Sequence, residues 1–221
     1  MVERRCHTAY FSGARNGATF YMLERNQTLP GLPLRSRRTT IRPFEPADEA
    51  RRQAWAKFDD PYFARYNFTP RQARANLVLF ERLRDRIRLA LDDSGHNLIG
   101  YASLKPIDGP SSTMEIGLCF SADHIGQGRG REALELLLPW AIEFLNLRRI
   151  ILDVDEINQR ALRLYRRLGF AVSGWFWKKE NNPRIVEYSR QLGLEHACRR
   201  NNGQFEILAW RMEWSPIRPA P

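Results

Sequence analysis

Glu115-Ile116-Gly117-Leu118-Cys119-Phe120, followed by Ile125-Gly126-Gln127-Gly128-Arg129-Gly130-Arg131-Glu132-Ala133, is the stretch whose reading decides the fold. It reads as a strand, a glycine-rich turn and the start of a helix. Glycine lets the backbone approach a ligand closely, and unpaired N–H groups at a helix N-terminus favour anions, so the turn suits a phosphate or pyrophosphate. A tight strand-to-helix turn without a ligand has the same pattern, because short glycine motifs are common. Two nucleotide-binding patterns do not fit. Gly130 is followed by Arg131-Glu132 rather than the Lys and Ser/Thr of a P-loop. Ala133 takes the last place of a GxGxxG fingerprint, and no first strand of a dinucleotide fold opens the chain.

Moving downstream, Pro139 lies inside the apolar helix over 131–147 and is expected to kink or break it. A strand over 150–154 leads into Leu152-Asp153-Val154-Asp155-Glu156-Ile157-Asn158, a short helix over 158–168 with Ala161 and Leu164-Tyr165, and then Leu168-Gly169-Phe170. Strands follow near 170–177 and 204–212. The segment 178–203 between them is long for a hairpin loop and contains Arg184, Arg190, Arg199 and Arg200, and loops of that length usually have a function or are disordered.

Upstream, the alternation over 86–91, the turn residues Asp93-Ser94-Gly95-His96-Asn97 and the apolar run over 98–102 predict a hairpin, with a second turn at Asp108-Gly109-Pro110-Ser111. Before it, Thr69 as N-cap, Pro70 at the first helical position and Gln72 completing a capping box predict a helix that ends near Asp85. A strand over 40–44 and a helix beginning near Pro46-Ala47-Asp48-Glu49 come first. The predicted order is β-α-α-β-β-β-α-β-α-β-β.

The composition, 43% hydrophobic and 27% charged over 221 residues, fits a soluble globular protein with one large domain or two small ones. No apolar run approaches the roughly 20 residues of a membrane span, and MVERRCHTAY has no secretory h-region, so a cytoplasmic protein without a membrane partner is expected. Cys6, Cys119 and Cys198 are scattered and form no CxxC pair, which indicates neither a disulfide framework nor a zinc site. His124 has no paired ligand, so no metal is expected. The net charge of +10 suits a polyanionic partner: a phosphate-rich cofactor, nucleic acid or ribosome, or an acidic surface. No zinc finger or helix-turn-helix supports the nucleic-acid reading, and solubility alone explains such a charge equally well.

Residues 1–39 read as a basic extension, with seven arginines against Glu3 and Glu24 and a candidate strand at Ala18-Thr19-Phe20-Tyr21-Met22-Leu23. Residues 40–214 form the expected domain and 215–221 a tail. Two roles stay open for the extension: recruiting a partner with an anionic surface, or packing on this domain or on a second subunit as a homodimer arm.

The two motifs, in this order and at this separation, resemble the GNAT acetyltransferase family, whose glycine turn is followed by a strand, an asparagine, a short helix carrying a tyrosine, and a Gly-Phe opening the next strand. The likeness spans about 40–212 and is sharpest over 115–170. Gly126-Gln127-Gly128 followed by Glu132-Ala133 is similar to the branch that includes ribosomal-protein N-terminal acetyltransferases; Ile125 stands where the family often has Arg or Gln. The resemblance implies an α/β fold with a mixed central sheet, splayed between its fourth and fifth strands and flanked by helices.

It also implies acetyl-CoA as cosubstrate and a primary amine, either a peptide N-terminus or a small molecule, as acceptor, with direct attack in a ternary complex. By that resemblance the backbone of Leu118, Cys119 and Phe120 meets the pantetheine arm, and amides of Gln127, Gly128, Arg129, Gly130 and Arg131 hold the pyrophosphate. Asn158 fixes the arm further along. Tyr165 serves as general acid. It lies seven residues after Asn158, about two helical turns, so both side chains can face one cleft. Glu115 is the candidate base, directly or through water, with Asp153 and Asp155 as alternatives. Against these roles stand a core-packed tyrosine and a carboxylate on a solvated strand face. Cys119 next to the thioester invites a covalent route, but no histidine is placed to activate it. Trp175, Trp177, Trp210 and Trp214 read as core or interface fillers, with an acceptor-cleft wall as the alternative. A non-catalytic acyl-CoA-binding or sensing module is the competing function.

Overall fold

A computed structural model describes residues 29–69, 86–107 and 112–216. The strands are β1 (Leu34–Arg35), β2 (Thr39–Pro43), β3 (Ile87–Asp93), β4 (Leu98–Pro106), β5 (Thr113–Phe120), β6 (Arg149–Asp155), β7 (Ala171–Glu180), β8 (Cys198–Asn201) and β9 (Gln204–Trp214). The helices are α1 (Pro46–Arg51), α2 (Arg129–Leu145), α3 (Gln159–Arg167) and α4 (Arg184–Gln191). All strands join one mixed sheet in the order β1-β2-β3-β4-β5-β6-β9-β7, with β8 also on β9. Among the described residues no helix is long and apolar enough to cross a membrane.

The β3–β4 hairpin forms where its turn chemistry predicts. Asp93 Oδ1 accepts from the backbone of Gly95 and Asn97 at 2.8 and 2.9 Å, an Asx-type closure that replaces lost ladder bonds. Helix α2 starts at Arg129, two residues before the predicted start, because Gly128 takes a left-handed φ of 79° and ends the turn there. Its buried face, Ala133, Leu134, Leu137, Leu138, Trp140 and Ala141, follows the 3.6-residue period and covers the sheet. Pro139 does not break this helix. It is exposed, so the Glu135 carbonyl that loses its intrahelical donor lies where water can replace it.

Two expectations need correction. Residues 178–203 are not a long loop: β7 runs on to Glu180, and α4 and β8 follow. Ile185 of α4 packs with Tyr62, Ile157, Ala197 and Ile207 in a second small core. Of the roles open for residues 1–39, packing on the domain is the one their described part takes. β1 pairs with β2, Leu29, Leu32 and Leu34 rest on the main core, and Trp140 Nε1 donates to the Pro30 carbonyl at 2.8 Å. The last two strands are also longer than expected, since apolar alternation weakens at their ends while backbone pairing continues. The candidate strand at 18–23, the helix after Thr69, the turn at 108–111 and the last residues of the tail lie outside the described residues.

One ion cluster pins the start of the domain. Arg42 on β2 reaches Asp48 through two nitrogens at 2.7 and 2.8 Å and Asp92 on β3 at 2.7 Å. Burial works to raise the Asp48 carboxyl, but hydrogen bonds from Arg42 and the Glu45 amide outweigh it and hold the group below its ordinary value. Removing one partner of a buried pair leaves the other charge undersolvated, so Asp48→Ala is expected to cost about 3–5 kcal/mol in urea denaturation. A depressed carboxyl gives stability that is present above its unfolded pKa of about 4 and lost as pH falls through the lower folded value. The wild type should therefore lose stability on acidification below about pH 4 more steeply than Asp48→Ala, as read from midpoints across that range.

Candidate active site

β5 and β6 run parallel for only three rungs, Thr113↔Arg149, Met114↔Ile150 and Glu115↔Ile151. Beyond them the strands part. β5 stays on β4 as far as Gly100↔Phe120, while β6 stays on β9 as far as Asp155↔Ala209. The edge of β5 over 116–120 that faces β6 thus has no ladder partner among the described strands. Between the parted strands lies a cleft of about 210 Å³. Ile116, Gly117, Leu118 and Cys119 form one wall, Asp153, Val154 and Asp155 the other, and Asn158 and Tyr165 reach it from α3.

The glycine turn leads into a helix that lies against the end of β5, where a Cβ at Gly130 would sit 3.7 and 3.8 Å from Phe120 and Leu118. Gly126 and Gly128 have φ of 76° and 79°, a region where a Cβ is strained, and a Cβ at Gly126 would meet nothing within 4 Å. The α2 N-terminus has no side-chain cap, so the amides of Arg129, Gly130 and Arg131 stay available to an anion. Gly130 is needed for packing: a Cβ there would sit 3.1 Å from Leu164 on α3, so its absence lets α2 and α3 approach. Residues 36–38 clamp the turn from outside. Glu132 accepts from the Ser36 hydroxyl, from Arg38 N at 3.1 Å and from Arg38 Nε at 3.1 Å. Arg38 Nη1 also donates to the Gln127 carbonyl at 3.3 Å, and Arg129 donates to the Arg38 carbonyl.

Asn158 caps α3, its Oδ1 accepting from Ala161 N at 3.2 Å, which leaves its amide N–H groups for the cleft. Tyr165 is half-buried against Phe170. Its hydroxyl has no hydrogen-bond partner among the described residues. Burial, with a smaller contribution from Tyr66, pushes the phenol up to about 12, so it is a protonated donor at neutral pH. Burial likewise pushes the Cys119 thiol up to about 11 against the opposing influence of Arg52, which makes it a poor nucleophile.

The three carboxylates differ. Asp153 is held by Arg211 through two bonds of 2.9 Å. Asp155 is buried, accepts from Tyr62 Oη at 3.0 Å and pairs with Lys178 at 2.5 Å and Arg65 at 3.6 Å. Glu115 lies outside the cleft lining, at the last β5–β6 rung, on the sheet face it shares with Gly117 and Cys119. No ion pair with another described residue holds it, although Arg211 feels its charge. No tryptophan is among the described lining residues; Trp175 is 61% exposed on β7 and Trp210 donates to Glu156. His124 bonds Asp123 at 3.0 Å, and the described residues hold no cluster of metal ligands.

Tyr62, Tyr66, Tyr101 and Lys178 also line the cleft, and the sequence reading missed them. The available signal was the aromatic density of Asp60-Pro61-Tyr62-Phe63-Ala64-Arg65-Tyr66-Asn67-Phe68, in a segment with no helical or strand period.

Residues 38–171 match the acetyltransferase (GNAT) domain. The chain is 31% identical over 87 residues to a spermidine N(1)-acetyltransferase of Vibrio cholerae, covering 39% of this chain and 50% of that protein. It is 29% identical over 132 residues to an L-methionine sulfoximine/L-methionine sulfone acetyltransferase of Pseudomonas aeruginosa, covering 58% and 63%. It thus spans about half the length of the spermidine acetyltransferase and under two thirds of the other. Among solved structures, a spermidine N-acetyltransferase chimera from Vibrio cholerae and hSSAT superposes with a TM-score of 0.61 at 20% identity over 81% of this chain and 96% of that one. At that identity the likeness shows the fold. These relatives are named for spermidine and amino-acid derivatives, and they lend no specific support to the ribosomal-protein branch.

The clamp on Glu132 changes what truncation should do. Treating residues 1–39 as a detachable arm predicts intact acetyl-CoA binding after their removal; releasing Glu132 and exposing Trp140 predicts the opposite. Deletion of residues 1–39 is expected to lower both the melting midpoint and acetyl-CoA affinity, and Glu132→Ala to weaken affinity about tenfold with a smaller loss of midpoint. Scanning calorimetry and titration calorimetry on the same samples check both.

Proposed function

This chain belongs to the acetyltransferase (GNAT) domain family, and from that premise we propose that it is an N-acetyltransferase that moves an acetyl group from acetyl-CoA to a primary amine, a peptide N-terminus or a small molecule, in a ternary complex. The observation that carries this reading is the edge of β5 over 116–120, which has no ladder partner among the described strands, together with an uncapped α2 N-terminus after it and the Tyr165 hydroxyl in the same cleft. The names of the relatives support the acceptor class, since spermidine and methionine sulfone both carry primary amines.

The residues fit the cosubstrate. An open strand edge offers alternating N–H and C=O groups to an amide-bearing arm, and uncapped helix amides with Arg38, Arg129 and Arg131 nearby suit a pyrophosphate. Acetyl-CoA supplies the activated acyl carbon. Leu118, Cys119 and Phe120 hold the arm through their backbone, Gln127 to Arg131 hold the phosphates, and Asn158 adds its amide. Glu115 receives the proton that the attacking ammonium must lose, through water because its side chain is not in the cleft wall. Tyr165 gives its phenolic proton to the departing sulfur and regains one from the nitrogen, which sheds its second proton as the amide forms. The thiol of Cys119 stays protonated and takes no part.

A non-catalytic acyl-CoA-binding module needs the same cleft but no donor. The hydroxyl of Tyr165, without a hydrogen-bond partner among the described residues and kept protonated inside that cleft, favours turnover.

Acetyl-CoA is expected to bind one per chain in titration calorimetry and to raise the melting midpoint; no binding at millimolar ligand contradicts the reading. Tyr165→Phe should lower turnover roughly 10- to 1000-fold with acetyl-CoA affinity nearly unchanged. An acid works in its protonated form, and a phenol raised to about 12 keeps that form throughout the range below. The wild-type rate should therefore show no alkaline fall from Tyr165 below about pH 11, and a fall near the ordinary tyrosine value that disappears in Tyr165→Phe contradicts the raised value.

A further inference from the structure

A second cavity, of about 140 Å³, shares the walls Tyr66, Tyr101 and Cys119 with the cleft. Arg52 forms part of its lining. The Arg52 side chain is only 9% exposed; Nη1 donates to Glu49 Oε2 at 2.9 Å, while Nε is buried with no partner among the described residues. Its guanidinium lies 3.8 Å from the ring centre of Phe68, 4.4 Å from that of Tyr101 and 5.5 Å from that of Trp55. Trp55 is itself fixed by a 2.7 Å bond to the Leu98 carbonyl and stacks on Tyr101. An aromatic shell therefore holds the fork in place. Glu49 lies outside this lining and also faces Arg88 at 3.9 Å, so the local balance is two cations to one carboxylate.

A buried, unsatisfied donor on a cation is costly and is rarely kept without a use. A planar guanidinium fork in a small aromatic cavity matches a planar carboxylate. The carboxylates lining the neighbouring cleft, Asp153 and Asp155, are already tied to Arg211 and Lys178, which leaves a polycationic acceptor little to bind there.

We propose that the Arg52 cavity is the subsite for a carboxylate on the acceptor, which makes the acceptor an α-amino acid or a close relative. Its amine points past Tyr101 and Cys119 into the cleft, and its carboxylate meets Arg52. The inference rests on the acetyltransferase reading and narrows it to one acceptor chemistry.

The test compares coenzyme A release for matched pairs: L-methionine, L-leucine and L-phenylalanine, each against the amine formed by removing its carboxylate, with spermidine alongside. The wild type should favour the better amino acids over their amines by about 100-fold in kcat/KM, the scale of a charge-assisted fork. Arg52→Lys keeps the charge but loses the fork, and should shrink this ratio to about tenfold or less while acetyl-CoA affinity and melting midpoint hold. Arg52→Met should abolish the ratio; if it does not fold, the wild-type ratio and Arg52→Lys still decide. A wild type that prefers the amines or spermidine, or a ratio unchanged in Arg52→Lys, overturns the proposal. If acetyl-CoA does not bind or no coenzyme A is released, the acetyltransferase reading fails instead. The subsite is then read by calorimetry: binding of the amino acids and not of their amines upholds it, and equal or absent binding overturns it.

Discussion

Two strands that begin as neighbours and then part govern the rest of this structure. β5 and β6 share three rungs, after which each is committed elsewhere, β5 to β4 over seven pairs and β6 to β9 over six. Neither can turn back without breaking that ladder. The parting leaves backbone groups over 116–120 unpaired at the wall of a cleft, where they must find water or a ligand. It also opens the space into which α3, capped by Asn158, delivers Tyr165. The close approach of α2 and α3 at Gly130 sets the start of α2 against the end of β5.

Charge is distributed around this opening with a clear division. The buried carboxylates, Asp155 and Glu180, meet Arg65 and Lys178 and tie β6 and β7 to the aromatic segment at 62–66. The turn side is cationic: Arg38 pairs with Glu132 and donates to the Gln127 carbonyl, and Arg129 donates to the Arg38 carbonyl. Arg52 stands apart from both groups, in an aromatic setting that fixes its orientation and leaves one donor unused. On the proposed reading, part of the high net charge has a local meaning, with cations where a phosphate or a carboxylate would arrive.

What the sequence made legible was local. The turn at 126–130, the Asn158 cap and the spacing from Asn158 to Tyr165 are short-range patterns whose geometry hardly depends on distant residues, and the expected elements formed around them. The α/β fold with its splayed mixed sheet followed from the resemblance those motifs carry. What was not legible depends on contacts across the chain. Helix α4 is only eight residues long and buries Ile185 and Ser189, too few positions to show a period. The clamp of residues 36–38 on Glu132 joins positions more than ninety apart, and nothing near Ser36 in the sequence signals it. The Arg52 cavity draws on residues 52, 68, 101 and 119, which come together only through the sheet. The family resemblance and its place on the strand set Glu115 beside the cleft, but Gly117 is the first residue of its face to line it.

The central claim is that the free edge of β5 and the turn at 127–131 together receive acetyl-CoA as an added strand ending in a phosphate site. Amide hydrogen exchange resolved to single residues, with and without saturating acetyl-CoA, tests it most directly. The account predicts that exchange slows at least about tenfold at amides within 116–120 and 129–131 and changes far less across β2 and β3. Unchanged exchange at both segments, with the ligand shown to be bound in the same sample, would contradict it.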